Sequence, residues 1–204
     1  SGLRAETVAV RLPQMRIQQL SHVVLISSLF SMRLLAEGFK GSSSIETPRS
    51  DDDLQLATQI QLRIGRKLSV MEVLAARRVR AFALAQWRRV LGEEVDVVLT
   101  PTVPMTAVRR PDGSDLLGYT DATLFVQMMR FVWPGNLVGL PGLAVPTGTD
   151  SAGLPVSMQV MCAHWHEADC LAVGAELERA FAKERRTPPL FVDLLADQDE
   201  PDKV

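Results

Sequence analysis

Two neighbouring segments, Asn136-Leu-Val-Gly-Leu-Pro-Gly-Leu-Ala-Val-Pro146 and Gly153-Leu-Pro-Val-Ser-Met-Gln-Val-Met161, decide how this chain is read. Leu143 to Pro146 and Val156 to Met161 are short apolar runs bounded by Gly and Pro, the form of two strands, and Thr149-Asp-Ser-Ala-Gly153 between them is turn-prone. A hairpin is expected there. Upstream, Val95-Asp-Val-Val-Leu-Thr100 runs into Pro101 as a compact apolar segment, the form of a buried strand whose end opens into a loop. Residues 95–161 should therefore hold the core strands, with Leu99 and Val145 buried.

Helical periodicity surrounds these strands. Thr7 to Leu12 alternates with period two and stops at Pro13, which suggests a short strand; a long helix follows, with Val23, Ile26, Phe30 and Leu34 on one face. Serines at 21, 27, 28 and 31, with His22 and Arg33, keep this apolar stretch short of a membrane span, so it reads as a buried helix. Asp51-Asp52-Asp53 suits the positive end of a second helix running to about Ile64. Ser69 and Glu72 have capping-box spacing, and Ala76, Ala83, Trp87 and Val90 form a stripe that leaves arginines 77, 78, 80, 88 and 89 mostly outward as a solvated face. Thr120-Asp121 can cap a helix through Phe131, which Trp133-Pro134-Gly135 should end or kink. Cys170, Val173, Leu177 and Phe181 mark the buried face of a last helix, closed by Thr187-Pro188-Pro189. The reading is one α/β unit over residues 1–185 and an acidic, mobile tail over 186–204.

Composition narrows the function. With 204 residues, 47% hydrophobic and 23% charged, the chain can bury a real core. A net charge of −2 gives no overall positive field to recruit nucleic acid or an anionic membrane, so no nucleic-acid partner is assigned. Cys162 and Cys170 are too few for a disulfide framework and favour an intracellular, reducing compartment. The opening Ser1-Gly2, without Met, looks truncated or processed.

Asp96-Val-Val-Leu-Thr-Pro-Thr-Val-Pro104, taken with the two segments quoted first and with Glu167-Ala168 at the start of the last helix, resembles the C-terminal third of the amidase signature family. Met105-Thr106-Ala107 and Met128-Met129-Arg130-Phe131-Val132 look most like its plant-type fatty acid amide hydrolases. Departures are Gly142, Ala144, Ser157 and Cys162-Ala163, the last where Gly-Arg is common. The resemblance implies the C-terminal portion of that family's α/β fold, a mixed β-sheet covered by helices. It also implies hydrolysis of carboxylic amides, fatty acyl amides among them, by a serine nucleophile, a bridging serine and a lysine base.

Those catalytic motifs would lie N-terminal to everything seen here, so no catalytic residue is assigned and the isolated chain is expected to be inactive. Gly41-Ser42-Ser43-Ser44 lacks the paired glycines of a serine loop, and Lys40, Lys67, Lys183 and Lys203 have no neighbours that would desolvate an amine into a base. Thr102, Met105, Met129, Phe131, Trp133 and Asn136 are the candidates for substrate-pocket wall or its support, since they cluster at strand ends and beside a Met-aromatic helix suited to an acyl chain. Ordinary core is the competing reading of each. Cys162, His164, His166 and Cys170 have the chemistry of four zinc ligands, but they fall at a strand-to-helix turn and the cysteines suit the core, so neither a metal nor a cofactor is assigned. A small-molecule amide is the expected partner; peripheral membrane contact through an acyl substrate and a homodimer are left open. So are two rival functions, part of a glutamine-dependent amidotransferase and a non-catalytic scaffold.

Overall fold

The computed structural model describes residues 5–35, 54, 56–114, 119 and 121–184. The Asp51-Asp52-Asp53 cap, the Ser42 to Ser44 loop and the tail over 186–204 lie outside them. Three helices open the fold: α1 (Met15–Leu35), α2 (Leu56–Lys67) and α3 (Val70–Arg89). A π-helical turn at Val90–Glu94 leads into β1 (Val97–Pro101). There follow α4 (Ala122–Met128), a 3-10 turn at Met129–Phe131, α5 (Trp133–Val138), β2 (Gly142–Thr149), β3 (Pro155–Cys162) and α6 (Glu167–Ala180).

The local signals hold where they are self-contained. The Ser69 hydroxyl accepts from the Glu72 amide at 3.2 Å while the Glu72 carboxylate accepts from the Ser69 amide at 2.7 Å, closing the capping box at the head of α3. Asp121 caps α4 through the amides of Thr123 and Leu124. Helix continuity beyond Met128 differs from expectation. The winding tightens at Met129–Phe131, and Trp133-Pro134 begins α5 instead of only ending α4, because proline is tolerated in the first helical turn, where its missing N–H costs no bond. Gly139, at φ 80°, then stops α5 in the left-handed region.

Strand order is β1-β3-β2, with both ladders antiparallel. β2 and β3 form the expected hairpin, each longer than its apolar run, and the Asp150 side chain holds the turn by accepting from the amides of Ala152 and Leu154, both at 2.9 Å. One sheet face carries Met161 into a core with Ala83, Trp87, Leu91, Trp133, Leu137 and Val138, joining β3 to α3 and α5. The other carries Val160 and Cys162 against Cys170, Val173 and Leu177 of α6. Helices therefore cover both faces, and α6 lies so close to the hairpin that a Cβ on Gly174 would collide with the Leu143 side chain.

Three expectations fail. Residues 7–12 form no strand, since alternation makes one only where a partner offers a ladder. Trp87 and Val145 are buried as expected, but Leu99 is 43% exposed. It pairs with Val160 and so points to the α6 side, yet α6 packs over β2 and β3, so that on edge strand β1 Val97 reaches that core and Leu99 lies beyond it. The third failure is α1. Its apolar stripe is real, but Val23, Ile26 and Phe30 face outward, while Gln18, Ser21, Ser27, Ser28 and Ser31 are buried.

The buried serines explain that inversion. Moving along α1, Gln18 donates to Gln86 Oε1 at 2.7 Å, Ser21 to the Ala76 carbonyl at 2.7 Å and Ser31 to the Leu62 carbonyl at 3.2 Å. Helices α3 and α2 thus run back along α1 in one antiparallel line. Small side chains allow the close approach, and the Ser21, Ser28 and Ser31 hydroxyls each find a backbone acceptor, which offsets the desolvation cost of burying them. Gly65 marks the tightest point, where a Cβ would overlap Ser31 Oγ and the Ser27 carbonyl. Gly65→Ala should therefore destabilise the fold despite its better helix propensity, by about 1–3 kcal/mol in chemical denaturation, because a backbone carbonyl cannot rotate away. Leu99→Ala, at its half-open edge, should cost only about 1 kcal/mol.

Burial holds the His22 imidazole below its ordinary value near 6.5, disfavouring its charged form. The unfolded chain then binds the extra proton first, so stability from this group is present above about pH 6.5 and is lost as pH falls towards the lowered folded value. His22→Gln should flatten the dependence of the denaturation midpoint on pH over that acid limb and leave the limb above neutrality unchanged.

Candidate functional site

The residues that could face a substrate hang on one face of the β1–β3 ladder. Thr100 pairs with Gln159, and one step on the Thr102 amide donates to the Ser157 carbonyl at 3.0 Å, while Ser157 Oγ donates to Thr102 Oγ1 at 2.9 Å. Gln159 Nε2 donates to the Phe131 carbonyl at 2.9 Å and lies 3.4 Å from Thr100 Oγ1, tying the 3-10 turn at Met129–Phe131 to the sheet. The loop after β1 has a second anchor. The Asp150 carboxyl is held below the usual carboxylate range first by the Leu154 amide and next by the Thr106 hydroxyl, so the residue after Met105 is fastened to the hairpin turn. Thr100, Thr102, Ser157 and Gln159 thus form a polar strip tied to the loop that carries Met105 and to the turn that carries Met129 and Phe131.

Met105, Met129 and Phe131 are partly exposed, as a pocket wall requires, and the Arg130 guanidinium sits 5.7 Å over the Phe131 ring. Trp133 is different. At 3% exposure it belongs to the core with Trp87 and Leu137, one layer behind the wall. Asn136 is exposed on α5, and its backbone amide donates to the Val132 carbonyl within the helix. Sequence reasoning missed Gln159 and Ser157 because each reads as an ordinary strand position; only the ladder register shows what they fasten. It also missed a cavity of about 190 Å³ between α3 and the β3–α6 turn, lined by Trp87, Arg88, Leu91, Gly92, Leu140, Ala163 and His164, which contains none of the candidates.

Cys162 and Cys170 are joined as a disulfide with Cα atoms 5.8 Å apart, both sulfurs buried between β3 and α6. This corrects the reading of unpaired cysteines and removes their support for a reducing compartment. His164 Nε2 lies 2.9 Å from the Val138 carbonyl, and His166 Nδ1 2.8 Å from Asp169 Oδ2. The cross-linked turn carries Trp165 at φ 67°, 91% exposed. The two sulfurs are thus committed to each other and the two imidazoles point to different partners. Without added reductant the intact mass should lack the two thiol hydrogens, and zinc should not bind stoichiometrically. Cys170→Ser should lower stability by about 2–3 kcal/mol through loss of a short cross-linked loop. A reduced chain holding one zinc would overturn this arrangement.

The catalytic half of an amide hydrolase is not recognisable among the described residues. Lys67 and Lys183 are the lysines there, and both are exposed. The sequence matches the Amidase family over residues 2–171. The chain belongs to the amidase family. It is similar to the fatty acid amide hydrolase of Medicago truncatula, 33% identical over 192 residues that make up 93% of this chain and 30% of the relative. A glutamyl-tRNA(Gln) amidotransferase component of Rhodospirillum rubrum is 39% identical over 109 residues, 53% of this chain and 21% of that one. Among solved structures, 6-aminohexanoate cyclic dimer hydrolase superposes with a TM-score of 0.66 at 21% identity, covering 89% of this chain and 39% of the other. A bacterial aryl acylamidase of the amidase signature family superposes with a TM-score of 0.66 at 22% identity over 88% and 37%. The amidase chain therefore spans about a third of the length of the fatty acid amide hydrolase and of the two solved structures, and its fold is a part of theirs: α/β, with a small antiparallel sheet between helices.

Proposed function

We infer that this chain forms the C-terminal scaffold and the acyl-side pocket wall of a hydrolase acting on carboxylic amides, fatty acyl amides in particular, with the nucleophile supplied from outside it. The observation that carries the reading is the extent of the likeness. Fatty acid amide hydrolase from Medicago truncatula aligns over 93% of this chain, whereas the Rhodospirillum rubrum amidotransferase component aligns over 53%. The wall chemistry points the same way. Met129 and Phe131 offer polarizable apolar surface to methylenes, while the rival glutaminase would need a cation and polar donors for the substrate's α-amino and α-carboxyl groups.

Amide hydrolysis needs a desolvated base within hydrogen-bond reach of a hydroxyl, because an unactivated serine is a poor nucleophile. In this reading the chain's own part is positional. Gln159 and Thr102 hold the loops that carry Met129, Phe131 and Met105, and Trp133 and Asn136 support the wall from α5. Thr102 and Met105 lie nearest the strand end, where the reacting group would enter; Met129 and Phe131 would meet the acyl chain.

The isolated chain should hydrolyse neither a short aryl amide nor a long-chain acyl amide above background, and should release no ammonia from glutamine. Turnover abolished by Ser42→Ala, Ser43→Ala or Ser44→Ala would place the nucleophile here after all. In the complete enzyme, Met129→Arg should lower kcat/KM for long-chain amides by on the order of a hundredfold, since a guanidinium would be desolvated against methylenes each worth about 0.8 kcal/mol on burial. Acetamide-sized substrates should be spared. Equal loss on both in a folded variant would assign Met129 to the fold or the catalytic centre.

A further inference from the structure

None of the pocket-wall candidates lines the cavity of about 190 Å³ between α3 and the β3–α6 turn. Its lining is graded. Trp87 and Leu91 are buried and form the inner wall, Leu140, Ala163 and His164 are half-buried along the sides, and Arg88 and Gly92 are exposed at the mouth. An apolar cavity of roughly 150 Å³ engineered in another protein holds benzene, so this one has room for a single ring with a short polar arm.

Three features set the chemistry of an occupant. The first is charge. No carboxylate among the described residues lines the cavity, and Arg88 makes no ion pair among them, whereas its neighbour Arg89 is paired with Glu94 at 3.2 Å. A free guanidinium beside apolar walls is a planar fork for a carboxylate. The second is the Trp87 indole, whose N–H is buried without an acceptor among the described residues. Buried donors are normally paired, and an oxygen brought to the edge of this ring would supply the acceptor. The third is Gly92. Its φ lies outside the left-handed region, and a Cβ built on it meets nothing within 4 Å. Neither the turn nor the packing calls for glycine there; its effect is to leave the mouth open.

The wall facing α3 is fixed in advance. Ala163 and His164 lie inside the loop closed by the Cys162–Cys170 disulfide, and His164 Nε2 is held 2.9 Å from the Val138 carbonyl. A preformed wall spares the ordering cost of closing a loop on a ligand.

We propose that this cavity binds a small aromatic monocarboxylate, its ring against Trp87, Leu91 and Leu140 and its carboxylate on Arg88. Volume and charge select the class. A long acyl chain exceeds the cavity, and a phosphate would bring two charges to one guanidinium with nothing to cover the apolar walls. The site is distinct from the wall around Met129 and Phe131 and requires no hydrolysis.

The test is titration of the full chain with phenylacetate, read by the three tryptophan indole N–H signals in NMR and by calorimetry. The Trp87 signal should move most, with a Kd below about 1 mM. Arg88→Gln should weaken binding by on the order of tenfold, the loss of a charge-assisted hydrogen bond. Gly92→Leu should abolish it by filling the mouth, and since its side chain enters open space the denaturation midpoint should not fall. Neutral 2-phenylethanol, of the same ring and reach, should bind at least tenfold more weakly than phenylacetate. An unmoved Trp87 signal at millimolar phenylacetate, or binding that neither variant weakens, overturns the proposal. Equal binding of 2-phenylethanol also overturns it, by reducing the cavity to an apolar recess, as does displacement of phenylacetate by equimolar inorganic phosphate, which makes Arg88 a general anion contact. No hydrolytic activity is read, so the outcome is independent of the amidase reading.

Discussion

Strand β3 is the constraint on which the described structure hangs. It is paired on both sides, to β1 and to β2, and its side chains alternate between two cores: Met161 goes to the Trp87 and Trp133 layer, Val160 and Cys162 to α6. Its polar members do the fastening. Ser157 and Gln159 bond the loop after β1 and the 3-10 turn, so a one-residue slip of β3 would exchange both faces at once and unfasten that loop and that turn. The disulfide from Cys162 to Cys170 pins the end of that strand to the helix that covers it.

How much of this was legible in the sequence depended on the range of the interaction. The Ser69–Glu72 box, the Asp121 cap, the Asp150 turn and the Ala76–Ala83–Trp87 stripe each carry their cause within a few residues, and each was readable. The α1 stripe was readable as a stripe but not as a direction. Period gives the face; only the presence of Gly65 and the Leu62 and Ala76 carbonyls explains why serines lie inward. Leu99 failed for a related reason, because burial on an edge strand depends on how far α6 reaches and not on the strand's own composition. The cysteine pairing depended on where β3 ends relative to α6. Of the wall candidates, Met105, Met129 and Phe131 were legible as apolar residues beside strand ends, whereas the polar contacts that hold them required the register.

The exposed apolar surfaces fall into two kinds. The stripe on α1 and the uncovered Leu99 edge are purely aliphatic or aromatic in character, while the α2–α3 face mixes aliphatic residues with cations. Since this chain covers about a third of the length of the relatives it resembles, a purely apolar face and an open sheet edge are what a part of a larger fold presents.

The central claim of the functional account is that this chain supplies the scaffold and wall of an amide hydrolase and not its nucleophile. Treating the purified chain with a fluorophosphonate, which acylation-competent serines attack, and reading the intact mass tests it most directly. The account predicts no adduct. A stoichiometric adduct on a serine of this chain would contradict it.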